Sequence, residues 1–226
     1  MPNSLSDPRG LRLLVFDWDG TLMDSIGPIV ACTRAALLEL GVAQVDESLI
    51  RGAVGLGLRE TIELVFPDVR EEQIEEIRET YRRHWVTTFR DEPILYHGVP
   101  EMLAELSECG YLLAVATGKS RRGLDHALEQ TGLGRFFLST RTVDEAPSKP
   151  HPGMLLGLYD ELGASAGETL MIGDTTWDLE MAQNAGARSV AVLSGTQPRE
   201  VLERAGPAAC LGSVTEIRGW LASDSL

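Results

Sequence analysis

The sequence predicts an α/β protein: a parallel sheet with helices on both faces, interrupted once by an all-helical insertion. Short apolar runs alternate with helical segments through most of the 226 residues, and this alternation is typical of a parallel sheet. Between residues 22 and 94 the alternation stops, and only the helical spacing of apolar residues is found. We therefore expect an α/β core, residues 1–20 and 95–226, that carries a helical cap, residues 21–94.

The first strand is predicted over residues 11–17, around the apolar run Leu13-Leu14-Val15-Phe16. In the cap, apolar residues recur every three or four positions and predict four helices, over 26–41, 46–53, 58–66 and 71–89. Ser25 is the expected N-cap of the first of these helices, and Gly41 is the expected residue at its end. The apolar stripe of the last helix ends on Trp85 and Phe89.

The core resumes its alternation after Pro93. Helices are expected over 99–109, 121–131, 153–162 and 176–185. Strands are expected over 112–116, 136–139, 169–172 and 189–193. Glycine stands at the end of several of these helices, as at Gly110, Gly163 and Gly186, where it favours termination.

The composition excludes several classes of protein. A net charge of −14 argues against a nucleic-acid partner, because such binding depends on Lys and Arg neutralising phosphates. Cys32, Cys109 and Cys210 are odd in number and far apart, which argues against a disulfide framework or a zinc site and fits a reducing cytoplasm. Neither a secretory signal nor an apolar run of about 20 residues is found. We expect a cytoplasmic protein that binds neither nucleic acid nor membrane.

Two carboxylates stand directly after the apolar run of the first predicted strand, in the sequence Asp17-Trp18-Asp19-Gly20-Thr21. Side chains alternate along a strand, so Asp17 and Asp19 are expected to point roughly the same way. Two like charges so close are unfavourable unless a cation or a shared proton offsets them. This spacing indicates a metal site, or a nucleophile beside an acid or base; the alternative is an exposed strand end with an Asp-Gly turn.

Three polar residues, Asp17, Thr117 and Asp174, each follow a predicted parallel strand. Ligands of open α/β sheets bind outside the carboxyl ends of the strands, so these residues are expected to converge. Each also has an ordinary interpretation, since Thr117 or Asp174 would serve as a helix N-cap. Asp178 lies four residues after Asp174 and faces the same side of a helix. Lys149, between prolines, is either held rigidly at the site or is a solvated loop lysine.

Other motifs do not fit. Residues 117–120, Thr-Gly-Lys-Ser, resemble the end of a phosphate-binding P-loop, but Leu113 occupies the position of the required upstream glycine. Residues 55–60 lack the third glycine of a dinucleotide loop. The four histidines show no metal-binding spacing, and no GxSxG nucleophile elbow is present.

Together, four segments resemble the motifs of the haloacid dehalogenase (HAD) superfamily, in the phosphatase branch (subfamily IA) with a helical cap after the first strand. They occur in order: Asp17-Trp18-Asp19-Gly20-Thr21, then Thr117-Gly118, then Lys149, then Gly173-Asp174 with Asp178. The resemblance covers nearly the whole chain and is nearest to phosphoglycolate phosphatase-like enzymes. It implies a Rossmann-like core with a C1-type cap.

The resemblance implies Mg²⁺-dependent hydrolysis of a small-molecule phosphomonoester, with 2-phosphoglycolate as one candidate, through an aspartyl-phosphate. It implies Asp17 as the nucleophile and Asp19 as the general acid and base. Thr117, Gly118 and Lys149 would bind the phosphoryl oxygens. The Mg²⁺ ligands implied are Asp17, the backbone carbonyl of Asp19, Asp174 and either Asp178 itself or a water that Asp178 orients.

Several alternatives stay open. Asp19 argues against a dehalogenase, and the absence of lysine from residues 22–94 argues against a phosphonatase that uses a cap lysine. A phosphomutase, a pyrophosphatase or a nucleotidase of the same superfamily would keep these residues. A non-catalytic phosphate-binding regulatory protein on the same fold is a further alternative, because fold does not fix function.

The cap offers a hypothesis about substrate choice. The loop around Gly55 and Gly57 is expected to face the core site, since two glycines let backbone approach a ligand closely. Arg59 or Arg51 would then contact an anionic tail of the substrate; the alternative is that both are surface charges. The expected oligomeric state is a monomer or a homodimer.

Overall fold

The computed structural model describes residues 9–42, 45–88 and 94–223. In this part of the chain six parallel strands form one sheet with the order β3-β2-β1-β4-β5-β6. The strands are β1 Leu13–Phe16, β2 Leu112–Ala116, β3 Ser139–Arg141, β4 Thr169–Gly173, β5 Arg188–Val192 and β6 Ala209–Leu211. The order reverses beside β1, so the carboxyl ends of β1 and β4 flank the point where ligands of such sheets bind.

Helices cover both faces of this sheet and form the cap. The cap helices are α1 Ile26–Glu39, α2 Glu47–Ala53, α3 Leu58–Val65 and α4 Glu71–Thr88. The core helices are α5 Val99–Glu108, α6 Arg121–Thr131, α7 Gly153–Leu162, α8 Thr176–Asn184, α9 Arg199–Arg204 and α10 Ile217–Ala222.

Strand β1 is buried along its whole length because each face of the sheet has its own hydrophobic layer. Leu14 and Phe16 pack with Leu103 of α5 and its neighbours on one face. Leu13 and Val15 pack on the other face, in the layer that includes Leu158 of α7. Apolar side chains on both sides of β1 hold its last residue, and therefore Asp17, in a fixed position.

The cap has a separate hydrophobic cluster. Its buried members come from all four cap helices, and they include Val30, Ile50, Ile62 and Ile77. The two segments that connect cap and core run side by side: Met23 and Leu95 form an antiparallel bridge. The Asp24 amide also donates to the Ile94 carbonyl at 2.8 Å. The chain therefore leaves the core and returns to it at one place. The bounds 1–20, 21–94 and 95–226 stay a prediction.

The structure corrects two predictions of local structure. The strand expected over 136–139 is wrong: residues 133–136 form a 3₁₀ helix, and β3 begins at Ser139. Phe136 and Phe137 pack on the core instead, with the ring of Phe137 lying 6.5 Å from that of Trp18, whereas Leu138 is exposed. Ser25 stands at the N-cap position of α1 but makes no capping hydrogen bond. Phe89 and Pro93 lie outside the described residues.

The other predicted elements start and end within one or two residues of their predicted bounds, whereas strand β6 was not predicted. Gly41 has the positive φ of 65° that a helix end requires, as expected. Over the described ranges, none of the helices combines the length and the apolar character that a membrane span needs.

Candidate active site

Three buried carboxylates meet at the carboxyl ends of β1 and β4. Asp17 directly follows β1, Asp174 directly follows β4, and Asp178 lies in the first turn of α8. One carboxylate oxygen of each lies within 4.8 Å of those of the other two. All three side chains are almost fully buried. The alternative of an exposed strand end is therefore wrong, and the convergence expected of Asp17 and Asp174 is observed.

Lys149 lies between two of these carboxylates. Its ammonium nitrogen is 2.5 Å from Asp17 Oδ1 and 2.6 Å from Asp178 Oδ1. Burial opposes the charge, but attraction by Asp17 and Asp178 outweighs burial and raises the pKa of Lys149 above its usual range. Lys149 is 2% exposed. The interpretation as a solvated loop lysine is therefore wrong.

The acidic side chains carry more negative charge than Lys149 neutralises. Burial, together with the nearby Asp178 carboxylate, raises the pKa of Asp174 to about 7. Burial also raises the pKa of Asp17, and attraction by Lys149 only partly opposes this. Asp17 Oδ2 is buried and has no hydrogen-bond partner among the described residues. An orphaned oxygen beside two further carboxylates fits a divalent cation that prefers oxygen ligands.

Neighbouring groups fix the direction of Asp174. The hydroxyl of Thr21 donates to Asp174 Oδ1 at 3.0 Å, and the amide of Thr196 donates to Oδ2 at 3.2 Å. A Cβ atom on Gly195 would lie 1.7 Å from Asp174 Oδ2, so only glycine fits there. Asp174 does not cap α8. Nothing in the sequence pattern indicates that Gly195 and Thr196 contact Asp174, because both lie more than twenty residues away from it along the chain.

Asp178 supports the site from the start of α8. Thr175 is the N-cap, and it forms a capping box in which its amide and hydroxyl both donate to Asp178 Oδ2, at 3.2 and 2.7 Å. The other oxygen, Oδ1, faces Lys149. One carboxylate thus joins the end of a helix to the buried lysine.

Asp19 has different partners from Asp17. It is 7% exposed, and its Oδ1 accepts a hydrogen bond from the Ser25 hydroxyl. Lys119 Nζ lies 2.9 Å from the same oxygen. The Ser25 hydroxyl is therefore directed to Asp19 rather than to the end of α1. Asp19 is not a member of the three-carboxylate cluster.

Thr117 and Gly118 follow β2, the strand beside β1. Thr117 is fully buried, and its Oγ1 accepts from the Lys119 amide at 3.2 Å. Ser120, not Thr117, caps α6 by accepting from the Gly123 amide at 3.2 Å. A Cβ atom on Gly118 would lie 2.3 Å from the Leu56 carbonyl oxygen of the cap.

The cap loop between α2 and α3 lies against the core, as the hypothesis on its glycines expected. The Gly57 amide donates to the Ser148 hydroxyl at 3.0 Å. The indole nitrogen of Trp177 donates to the Gly52 carbonyl at 3.2 Å. Gly55 lies against Thr175 with a positive φ of 99°. This loop therefore contacts the segments that carry Gly118, Lys149 and Asp174.

The structure does not bring Arg59 or Arg51 to this group of residues. The Arg59 guanidinium binds Glu63 at 3.0 Å and Glu71 at 2.5 Å, and its side chain is 40% exposed. Arg51 binds Glu47 at 2.8 Å and is also exposed. Both guanidinium groups therefore form ion pairs with glutamates on the surface of the cap.

Lys119 was not identified from the sequence, because its segment was considered only as an incomplete P-loop. A usable signal was present: the chain contains only two lysines, Lys119 and Lys149, against 18 arginines. Both lysines contact the carboxylates of the first motif, Lys149 at Asp17 and Lys119 at Asp19.

Comparison with known proteins agrees with this geometry. Residues 14–192 match the sequence model of the haloacid dehalogenase-like hydrolases, and the chain belongs to that family. Within the family it is a phosphatase, a phosphoric monoester hydrolase similar to phosphoglycolate phosphatases.

The relatives cover nearly the whole chain. The "Probable phosphatase IndB" of Dickeya dadantii is 36% identical over 215 residues, 92% of each chain. The N-acetylmuramic acid 6-phosphate phosphatase of Pseudomonas aeruginosa is 31% identical over 82% of this chain and 83% of its own. A hydrolase from Pseudomonas syringae superposes with a TM-score of 0.86 at 25% identity, over 95% of this chain and all of its own.

Proposed function

We propose that this phosphatase hydrolyses a small-molecule phosphomonoester through an aspartyl-phosphate at Asp17, with Mg²⁺ as its cofactor. The observation that carries the proposal is the buried cluster of Asp17, Asp174 and Asp178 around Lys149. A carboxylate is a competent nucleophile for phosphorus and forms a covalent intermediate.

Asp17, Asp174 and the backbone carbonyl of Asp19 would hold the Mg²⁺, with Asp178 as a further ligand or as the acceptor for a bound water. When bound, the ion neutralises charge between the Asp17 carboxylate and the incoming phosphate and stabilises charge in the transition state. The oxygen-only donor set supports this choice over a zinc or copper ion.

The chain's own residues would perform the transfer in two steps. Asp17 attacks phosphorus, and the bond to the ester oxygen breaks while Asp19 donates its proton to that oxygen. Asp19 then takes a proton from water, which attacks the phosphoaspartate, so that inorganic phosphate leaves and Asp17 is restored. Thr117, the Gly118 amide and Lys149 bind the phosphoryl oxygens during both steps.

The names of two kinds of relative suggest the substrate. Phosphoglycolate phosphatases of Vibrio species are 29 to 30% identical to the chain, and N-acetylmuramic acid 6-phosphate phosphatases 30 to 31%. Both named substrates are phosphomonoesters of an alcohol that also carries a carboxylate. We propose a substrate of this class, with 2-phosphoglycolate as the first candidate.

A phosphate-release screen tests the proposal. Purified protein with Mg²⁺ is assayed on 2-phosphoglycolate, N-acetylmuramic acid 6-phosphate, sugar phosphates, mononucleotides and pyrophosphate, ranked by kcat/KM. We expect release of phosphate from monoesters, abolished by a chelator. Isomerised sugar phosphate with little free phosphate would instead identify a phosphomutase. Activity on no phosphate compound would contradict the proposal.

A further inference from the structure

Lys119 occupies the side of the site that faces the cap. Its Nζ lies 2.9 Å from Asp19 Oδ1, and its side chain is only 12% exposed. The same nitrogen lies 5.1 Å from the centre of the Trp85 ring on α4 of the cap. Trp85 is stacked on Tyr81. A lysine is thus enclosed between the acid/base residue of the core and an aromatic pair of the cap.

The described cap arginines are already bound to neighbouring polar side chains of the cap. Six of the seven form ion pairs with glutamates: Arg34, Arg51, Arg59, Arg78, Arg82 and Arg83. The seventh, Arg70, binds Gln73. In a chain of net charge −14, an anionic leaving group therefore needs a cation from the core. Lys149 already binds Asp17 and Asp178, and Lys119 is the cation that lies against both Asp19 and the cap.

We propose that Lys119 binds a carboxylate on the leaving group and so sets the preference for acidic phosphomonoesters. This inference rests on the proposed function, in which Asp19 touches the leaving oxygen. A group held by Lys119 must lie on that same side of the phosphorus, because Lys119 and Asp19 are in direct contact. In 2-phosphoglycolate one carbon separates the carboxylate from the ester oxygen. This short spacing suits two neighbouring groups, with Asp19 at the ester oxygen and Lys119 at the carboxylate. The lysine exchanges its contact with Asp19 for the substrate carboxylate, and Trp85 covers it from the cap.

A matched pair of substrates isolates this contact. The pair is 2-phosphoglycolate and 2-phosphoglycolamide, in which a neutral amide replaces the carboxylate. The quantity measured is the ratio of the two kcat/KM values. We expect Lys119→Met to lower this ratio about 10- to 100-fold, the range for loss of a hydrogen bond to a charged group. Lys119→Arg keeps the charge and should retain part of the preference. Lys119→Gln, which can still donate to Asp19, provides the same test if the methionine variant does not fold.

Arg122→Met is the matched control, because Arg122 is an exposed cation three positions along the chain. For Arg122→Met, the ratio of kcat/KM for 2-phosphoglycolate to kcat/KM for 2-phosphoglycolamide should equal that of the unmodified protein. If Lys119→Met lowers kcat/KM equally for both substrates, Lys119 only positions Asp19, and the proposal is overturned. A wild-type protein that prefers the amide, or does not discriminate, also overturns it while the phosphatase proposal stands. A wild-type protein that releases phosphate from no monoester contradicts the phosphatase proposal itself.

Discussion

At the scale of single residues, the carboxylates of Asp17, Asp174 and Asp19 differ in the groups that they contact. Asp17 has Lys149 on one oxygen, and its other oxygen has no hydrogen-bond partner in the part of the chain that the structure describes. Asp174 is fixed by Thr21 and Thr196. Asp19 is bound by Ser25 and Lys119 and faces the cap. These surroundings support the proposed roles of nucleophile, metal ligand and acid/base group for three residues of identical chemistry.

The first prediction concerns the nucleophile. Asp17→Asn keeps the shape of the side chain but removes the charge that attacks phosphorus. We expect kcat to fall by at least about 10⁴-fold, as when a nucleophile is removed from other enzymes. The measurement is phosphate release with Mg²⁺ present. Asp160→Asn changes an exposed aspartate on α7 and should retain full activity; substantial activity in Asp17→Asn would exclude Asp17 as the nucleophile.

The second prediction concerns Lys149. Lys149→Met leaves Asp17 and Asp178 without their common cation in a buried position. We expect the free energy of unfolding of the metal-free protein to fall by about 3–5 kcal/mol near pH 8, because uncompensated buried charge is costly. Urea denaturation measures this change.

The control for Lys149 is a surface cation. Arg34→Met breaks an exposed pair with Glu47, which should cost no more than about 1 kcal/mol. Similar losses in Arg34→Met and Lys149→Met would show that the buried lysine is not the electrostatic centre of the site.

At the scale of elements, close approach of backbone explains why particular segments meet. The Leu56 carbonyl of the cap lies against Gly118, and the neighbouring Gly57 amide binds Ser148. Two glycine-containing loops therefore form the contact between cap and core directly above the strand ends. Any side chain at position 118 would push the cap loop away.

The third prediction follows from this contact. In Gly118→Ala the new Cβ would lie 2.3 Å from the Leu56 carbonyl oxygen, so the cap loop must shift. We expect kcat/KM to fall about 10²-fold, the cost of displacing groups by roughly an ångström. In the control Gly52→Ala, the new Cβ meets nothing within 4 Å. It should keep its activity and gain up to about 1 kcal/mol of stability. Full activity in Gly118→Ala would show that this close contact is not needed for catalysis.

The elements also show how far the sequence alone could lead. Periodicity predicts the four inner strands and the helices that bury an apolar face, and the strand ends indicate Asp17, Thr117 and Asp174. It does not predict β6, whose three residues are only partly buried. The strand expected at Phe136 was wrong because those apolar side chains pack around the sheet edge from a 3₁₀ turn. Lys119 was missed because its partners, Asp19 and Trp85, lie far from it along the chain. Arg59 was placed at the site on the basis of its loop, but local glutamates bind it.

At the scale of the whole molecule, an acidic chain concentrates its only two lysines at one site. A net charge of −14 would repel a phosphate ester, so we expect local cations and the proposed divalent ion to reverse the sign of the pocket. The cysteines are free thiols, and burial raises the pKa of Cys32 to about 11. The reducing cytoplasm and the monomer or homodimer stay predictions.

The fourth prediction is that the stabilisation of the whole protein by Mg²⁺ depends on pH. Asp174 has a folded pKa of about 7 against an ordinary value of 3.8. Its contribution to metal-free stability is therefore complete below about pH 4 and lost as the pH rises through 7. Mg²⁺ binds ionised carboxylates, so the increase in Tm that it produces should be larger near pH 8 than near pH 5.

Thermal unfolding with Mg²⁺ and with a chelator at both pH values measures this difference. In Asp174→Asn the pH dependence of the Mg²⁺ effect should be smaller, because one of the two proposed ligands with a raised pKa is absent. An increase in Tm that is the same at both pH values in the unmodified protein would contradict the assignment of this cluster as the metal site.

A crystal structure of the protein with Mg²⁺ and beryllium fluoride, a mimic of a phosphoryl group, tests the central claim most directly. We predict beryllium bonded to a carboxylate oxygen of Asp17, fluorines contacting Thr117 and Lys149, and one Mg²⁺ in contact with both Asp17 and Asp174. Beryllium fluoride bonded elsewhere, or an ion that contacts neither carboxylate, would contradict the claim that Asp17 accepts the phosphoryl group at a magnesium site.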